Sequence, residues 1–324
     1  MKIRSNGKKA EAPGSASQRR LKCRLAAAVL LLAISAALMA LAAKQPGFAE
    51  WYSENIYPLF VNSLGRLWGL FPFSVSEIAL YILIVVFLLS LAAAVRKGIH
   101  GAVPWLSCIL LAAGILAFLY TICCGINYHR KSFSEEEGIV TYRYTAQDLK
   151  EVCLWLTEEV NTISGEVDRD SSGVMTLEAP EGEGAVEANY NGDMTAYNIP
   201  FTTCHELSHL RGFMQEEKAN FIAFLACIQS DRTDFRYSGY LSGWVYCMNA
   251  LYRTDHESWQ EVRLLLAEEA EADLEANSAF WDAYEGRISE AADKINDTYL
   301  KANGQADGVQ SYSRMVDLIV AYFG

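Results

Sequence analysis

The chain has 324 residues, 52% of them hydrophobic, with a formal net charge of -12 and eight cysteines. Charge is spread unevenly: residues 1–24 carry eight Lys/Arg against one acidic residue, residues 25–131 six against three, and residues 132–324 thirteen against thirty-five. This excludes a uniformly acidic soluble protein, a basic nucleic-acid binder and a disordered chain, which would lack the aromatic and apolar runs found throughout.

After the basic tail of residues 1–24 come nineteen uncharged residues, Leu25–Ala43. A second uncharged run spans Ile78–Val95 and a third spans Trp105–Gly125. Each is close to the roughly 20 residues that carry an α-helix across a hydrocarbon core. Ala40-Leu41-Ala42 has the small-residue character of a signal cleavage site. A signal's apolar stretch is typically about 7–15 residues, so the longer first run is expected to be an uncleaved anchor.

Lys and Arg set the expected orientation. The tail holds Lys2, Arg4, Lys8, Lys9, Arg19, Arg20, Lys22 and Arg24, and Arg96 and Lys97 follow the second run; both regions are expected in the cytoplasm. Three spans then place residues 44–77 and 126–324 outside. His129-Arg130-Lys131 is a contrary, positive signal on that outer side. Residues 44–77, with Trp51, Tyr52, Tyr57, Phe60, Trp68, Phe71 and Phe73, have the composition of an interfacial loop.

The remainder reads as a mainly α domain with at most a small β-sheet. Thr145 and Asp148 mark the start of a helix reaching about Ile163. Residues 165–200 are rich in Gly, Asp, Glu and Ser, with Gly173–Leu177 and Ala185–Tyr190 as possible brief strands and Pro200 closing the region. Helices are expected over 202–211, 215–230, 238–253, 256–283, 285–302 and 311–323. Cys153, Cys204, Cys227 and Cys247 lie in apolar helical contexts without CxxC spacing, which favours free thiols over a cysteine zinc site.

Chemistry enters at Cys204-His205-Glu206-Leu207-Ser208-His209, which contains H-E-x-x-H. Residues four apart share one helix face, so His205 and His209 can offer two imidazoles to one metal. Glu206 is then placed to act as general base on water beside the metal. Gly212 offers a turn after this short helix, and Glu216-Glu217-Lys218-Ala219-Asn220 opens the next. Glu216 fits the E-x-x-A-D/N pattern of a third, carboxylate ligand, while the adjacent Glu217 is an alternative. Gln215 stands where another class with H-E-x-x-H-x-x-G-x-x-H has histidine. Asn220 is a candidate for orienting His205 from behind. Tyr237, Tyr240, Tyr246 and His256 are eligible oxyanion donors, although aromatic residues at helical spacing usually serve packing. The bland alternative is that His205, Glu206, Glu216 and Glu217 only furnish solvated helix starts.

Three stretches, PFTTCHELSHLRGFMQEEKANFIAFLAC, YSGYLSGWVYCMNALYR and YLKANGQADGVQSYSRMVDLIVAY, together with the three N-terminal spans, carry a family resemblance. The chain resembles the bacterial membrane-anchored, zincin-like family called domain of unknown function 3810. The resemblance implies His205, Glu206 and His209 as the motif core and Glu216 as the glutamate of the acidic stretch. The expectation is a membrane-anchored, Zn²⁺-dependent metallopeptidase with an extracytoplasmic catalytic domain acting on a peptide or protein at the cell envelope. The alternative is a non-catalytic zincin-like binding or sensory module.

Overall fold

The computed structural model describes residues 13–45, 47–71, 74–177, 193–283, 286–303, 305 and 314–324. Helix α1 (Pro13–Lys44) opens on proline, whose missing N–H costs no hydrogen bond in a first turn. It begins well before the expected Leu25, because the Arg and Lys residues preceding the apolar run are themselves good helix formers. The segment expected as a loop over 44–77 is largely helical. It forms α2 (Phe48–Asn55), α3 (Tyr57–Phe60), a π-turn at Val61–Gly65 and α4 (Arg66–Gly69). Ser74 caps α5 (Val75–Arg96) by accepting the Glu77 backbone N–H at 3.3 Å, and α6 (Ile99–Tyr120) follows.

Three helical segments, Ser17–Lys44, Val75–Arg96 and Gly101–Glu136, are long and apolar enough to cross a membrane. Helix α1 packs along α6, where a Cβ on Gly114 would come within 3.2 Å of the Ala28 carbonyl. Small residues at such crossings let backbones approach closely. The Trp105 indole of α6 donates to Ser90 Oγ of α5 at 3.0 Å. Much of α5 stays bare: Leu80, Ile82, Val86 and Leu89 are all exposed. An apolar surface of this kind is consistent with a lipid bilayer as its surroundings.

The chain divides into two compact units, Met1–Phe48 with Leu67–Ile126, and Ala49–Arg66 with Asn127–Gly324. The second unit thus includes most of the segment between α1 and α5. Ser53 donates to Asn127 Oδ1 at 2.9 Å, and Arg130 Nε reaches Glu50 at 2.8 Å. These buried polar pairings, with Tyr52 and Tyr57 also buried, explain why Ala49–Arg66 joins this unit.

Beyond a short α7 (Phe133–Glu136), α8 (Ala146–Ser164) starts with a capping box: Thr145 accepts the Asp148 N–H, and Asp148 accepts that of Thr145. Its apolar stripe, including Leu149, Leu156 and Val160, is buried. Then come α9 (Asn198–Leu210), α10 (Glu216–Ile228) and α11 (Thr233–Thr254). Helix α11 packs against α8, α9 and α10. It comes close to α10, where a Cβ on Gly243 would stand 2.6 Å from the Phe224 ring and one on Gly239 2.6 Å from Cys227 Cβ.

Pro200 does not close the preceding loop. It sits in the first turn of α9, where proline is tolerated. The single helix expected over 256–283 is two, α12 (His256–Arg263) and α13 (Glu268–Asp282). The break is held by Asn161, whose amide donates to the Leu265 carbonyl at 2.7 Å and accepts the Ala267 N–H at 2.8 Å. Those bonds compensate the interrupted helix, and Leu266 turns into the core. Helices α14 (Arg287–Ala302) and α15 (Met315–Phe323) follow, and Met315, Leu318 and Ile319 complete the core.

Among the described residues no strand forms; Gly173–Leu177 contributes only an isolated antiparallel bridge between Arg169 and Met175. Ala185–Tyr190 lies outside the described residues. The segment around the bridge is tied down by Asp273, fully buried on α13. This carboxylate accepts the Met175 N–H at 2.7 Å, Arg169 Nη1 at 2.9 Å and the Tyr237 hydroxyl. The eight cysteines are free thiols, with Cys153, Cys227 and Cys247 buried.

Removing one partner of a buried ion pair leaves the other charge unpaired and costs about 3–5 kcal/mol. Asp273→Ala should lower unfolding stability by about that amount, since it orphans the Arg169 guanidinium and two further donors. Denaturant melts of the detergent-solubilised protein would check this; a loss indistinguishable from zero would show that Asp273 does not hold the segment.

Candidate metal centre

Helix α9 presents His205, Glu206 and His209. Its start is fixed by Ser238 of α11, whose hydroxyl accepts the Phe201 N–H at 3.0 Å and donates to the Tyr197 carbonyl. Its end is fixed by Gly212 at φ +90°, a left-handed conformation that favours glycine. The Gly212 N–H returns to the His209 carbonyl at 2.9 Å and that of Phe213 to Ser208 at 3.1 Å. This tight reversal brings the first residue of α10, Glu216, back over the face of α9 that carries both histidines.

The three side chains converge. His205 Nε2 lies 3.1 Å from His209 Nε2 and 3.2 Å from Glu216 Oε2, and His209 Nε2 lies 3.5 Å from the same oxygen. The imidazole rings stand nearly perpendicular, at 88°. A tetrahedral zinc ion with donors at about 2.0–2.1 Å requires donor–donor separations of about 3.3 Å. The observed triangle brackets that value, so the donor set fits a metal by chemistry and by spacing.

The surroundings prepare each donor. His209 Nδ1 lies 2.7 Å from the Phe213 carbonyl, an acceptor; Nδ1 therefore carries the hydrogen, which in the neutral ring leaves the Nε2 lone pair facing the cluster. Burial disfavours the charged form of His209, but the Glu216 carboxylate outweighs it and raises the pKa above the usual value. Burial likewise opposes ionisation of Glu216, yet hydrogen bonds from His205 and His209 and their charge hold its pKa down at about 2. The N-terminus of α10 adds a favourable dipole for that carboxylate. Glu217 is not part of the triangle. Its Oε2 is buried without a hydrogen-bond partner, and burial raises its pKa.

A cavity of about 540 Å³ opens beside the triangle, lined by His205 and Glu206 of α9, Asn220 of α10 and Tyr246 of α11. Asn220 does not serve as the expected support for His205, whose Nδ1 is buried without a hydrogen-bond partner. Its amide donates instead to the Tyr246 hydroxyl oxygen at 3.3 Å. That oxygen acts as the acceptor in this contact. Burial, and secondarily the Glu216 charge, raise the Tyr246 pKa against the opposing effect of Asn220, so the phenol keeps its proton.

The other eligible oxyanion donors lie elsewhere. Tyr237 is fully buried and bonded to Asp273 and Arg169; Tyr240 packs edge-on against Trp155. His256 stacks on Trp259 and meets Tyr252. Sequence reasoning puts forward Tyr237, Tyr240 and His256 and gives Tyr246 no preference. What separates Tyr246 is its contact with Asn220 across two helices, which no local pattern encodes.

No curated protein and no solved structure matches the chain. A family model does match, over residues 52–184 and 184–320, from α2 through most of α15 and including α9, α10 and the His-His-Glu triangle. On that match the chain belongs to the family described as Protein of unknown function (DUF3810).

Proposed function

We propose that the protein is a membrane-anchored, zinc-dependent metallohydrolase, a metallopeptidase acting on peptide bonds at the cell envelope. The observation that carries this reading is the convergence of His205, His209 and Glu216 to hydrogen-bonding separations at the mouth of a cavity that Glu206 also lines. Two nitrogens and one carboxylate oxygen are a donor set that leaves a fourth tetrahedral position for reactants.

When bound, zinc supplies a Lewis acid that polarises a scissile carbonyl and makes nearby water more acidic. The protein's side chains supply the remainder. Glu206 takes the proton from the attacking water and returns it to the leaving amine. Tyr246, its oxygen engaged by Asn220, donates its hydroxyl hydrogen toward the oxygen on which charge builds. The distribution of Lys and Arg supports an orientation with the N-terminal tail in the cytoplasm and the unit bearing the triangle outside.

The full-length chain in detergent is the right material for testing this, because Ala49–Arg66 belongs to the same unit as the triangle. About one zinc per chain is expected by elemental analysis, falling to background in His205→Ala/His209→Ala; a folded wild type that takes up no zinc would sink the reading. Glu206→Gln should keep its zinc and lose about 10²–10⁴-fold of the peptide-hydrolysis rate.

Metal binding should also show a pH signature. The raised pKa of His209 contributes metal-free stability that is present below the ordinary histidine pKa and lost as pH rises through the higher, folded value. Zinc requires the neutral imidazole, so its binding strengthens over the same range. The rise in Tm on adding zinc to chelator-treated protein should therefore be larger at pH 8 than at pH 5.5. An equal rise at both would mean that the imidazoles are not the ligands.

A further inference from the structure

The cavity beside the triangle has a distinct chemistry. Its volume, about 540 Å³, is in the range of ligand-binding pockets, about 300–1,000 Å³. Beyond His205 and Glu206 no charged residue lines it among the described residues. A pocket that captures a chain-terminal carboxylate or an acidic side chain needs a cation, ordinarily a forked Arg. Among the described residues, none lines this cavity. The wall is instead built from amides and hydroxyls, Asn198, Ser242, Asn249 and Asn277, with aromatic Trp281 beside them.

Asn277 is locked in one orientation. Its Oδ1 accepts from Asn198 Nδ2 at 2.7 Å, Thr195 Oγ1 at 3.1 Å and Trp281 Nε1 at 3.1 Å. An indole N–H is only a donor, so the atom facing it must be the carbonyl oxygen, and the amide flip is settled by chemistry. The Asn277 Nδ2 is left without a partner among the described residues. An amide donor fixed in orientation on a cavity wall, and bonded to nothing in the protein, is a position a ligand can fill.

We infer that this cavity is the substrate subsite and that it takes an uncharged internal stretch of peptide, a main-chain carbonyl of which is bonded by Asn277 Nδ2. This makes the protein an endopeptidase selecting against acidic residues and free carboxylates beside the scissile bond. The inference rests on the metallopeptidase reading above.

Zinc-loaded full-length protein would be titrated with acetohydroxamate, which needs only the metal, and with end-blocked dipeptidyl hydroxamates. The neutral dipeptide should bind at least about tenfold more tightly than acetohydroxamate. A Glu-containing or free-carboxylate analogue should lose that gain. Asn277→Asp retains the oxygen that Asn198, Thr195 and Trp281 bond, but replaces the free donor with a charged acceptor. It should cut the ratio of neutral-peptide to acetohydroxamate affinity about fivefold or more. The inference is overturned if acidic analogues bind as well as neutral ones, or if Asn277→Asp leaves the ratio unchanged. Absence of acetohydroxamate binding to the zinc-treated protein would instead remove the metal centre itself, and this inference with it.

Discussion

The candidate centre depends on the reversal at Gly212. Two imidazoles one helical turn apart define only an edge; a third donor must arrive from another element, and it must arrive close. The φ of +90° at Gly212 is what turns the chain within a few residues of His209. A side chain there would be strained by its backbone and would also meet Ser53, 3.4 Å from the place its Cβ would occupy. The same turn exposes the Phe213 carbonyl to His209 Nδ1 and starts α10 on Glu216. One residue of backbone geometry thus sets a ligand position, orients a second ligand and closes the triangle.

Closing that triangle buries charge, and the second unit offsets this cost in two ways. At the triangle, opposite charges face one another: Glu216 is held ionised by two imidazoles despite its burial. At Asp273, well away from it in sequence, a fully buried carboxylate is satisfied by an Arg, a Tyr and a backbone N–H. The difference lies in what is left over. Asp273 engages its surroundings completely and reads as structural. His205 Nδ1, Glu217 Oε2 and Ser242 Oγ remain buried without hydrogen bonds, and all three lie on or beside α9–α11 near the triangle. Other buried groups, such as Asn127 Nδ2 and Arg236 Nε, also lack partners, so what sets this neighbourhood apart is the convergence of three metal-ligating side chains.

Features governed by local patterns were legible in the sequence. Apolar runs announced the three long helices, Thr145 and Asp148 announced the start of α8, and the spacing of His205 and His209 announced a shared helix face. What failed to show were elements decided at long range. The split between α12 and α13 depends on Asn161, about a hundred residues earlier, satisfying both sides of the break. Asn220 sits one turn from Glu216, and spacing alone pairs it with His205; a hydroxyl on α11 takes its hydrogen bond instead. Tyr246 looks like any other aromatic of α11 until α10 is placed against it. Asn277 and Trp281 carry no motif at all and enter only because α13 lines the cavity.

The least predictable contribution comes from the segment between the first two long helices. Tyr57 donates to the His209 carbonyl at 3.3 Å, and Arg130 Nη1 to that of Arg211 at 2.8 Å, while Arg130 also pairs with Glu50 and covers the Phe213 ring. These bonds fall on the last carbonyls of α9, the groups that a helix end leaves unsatisfied. They also face the turn that positions Glu216. Residues contributed by α2 and α3 therefore hold the geometry of a centre whose ligands lie some 150 positions later in the chain. The chain enters this segment from one helix long and apolar enough to cross a membrane and leaves it toward another, so the stretch that links them also builds the back of the candidate metal centre.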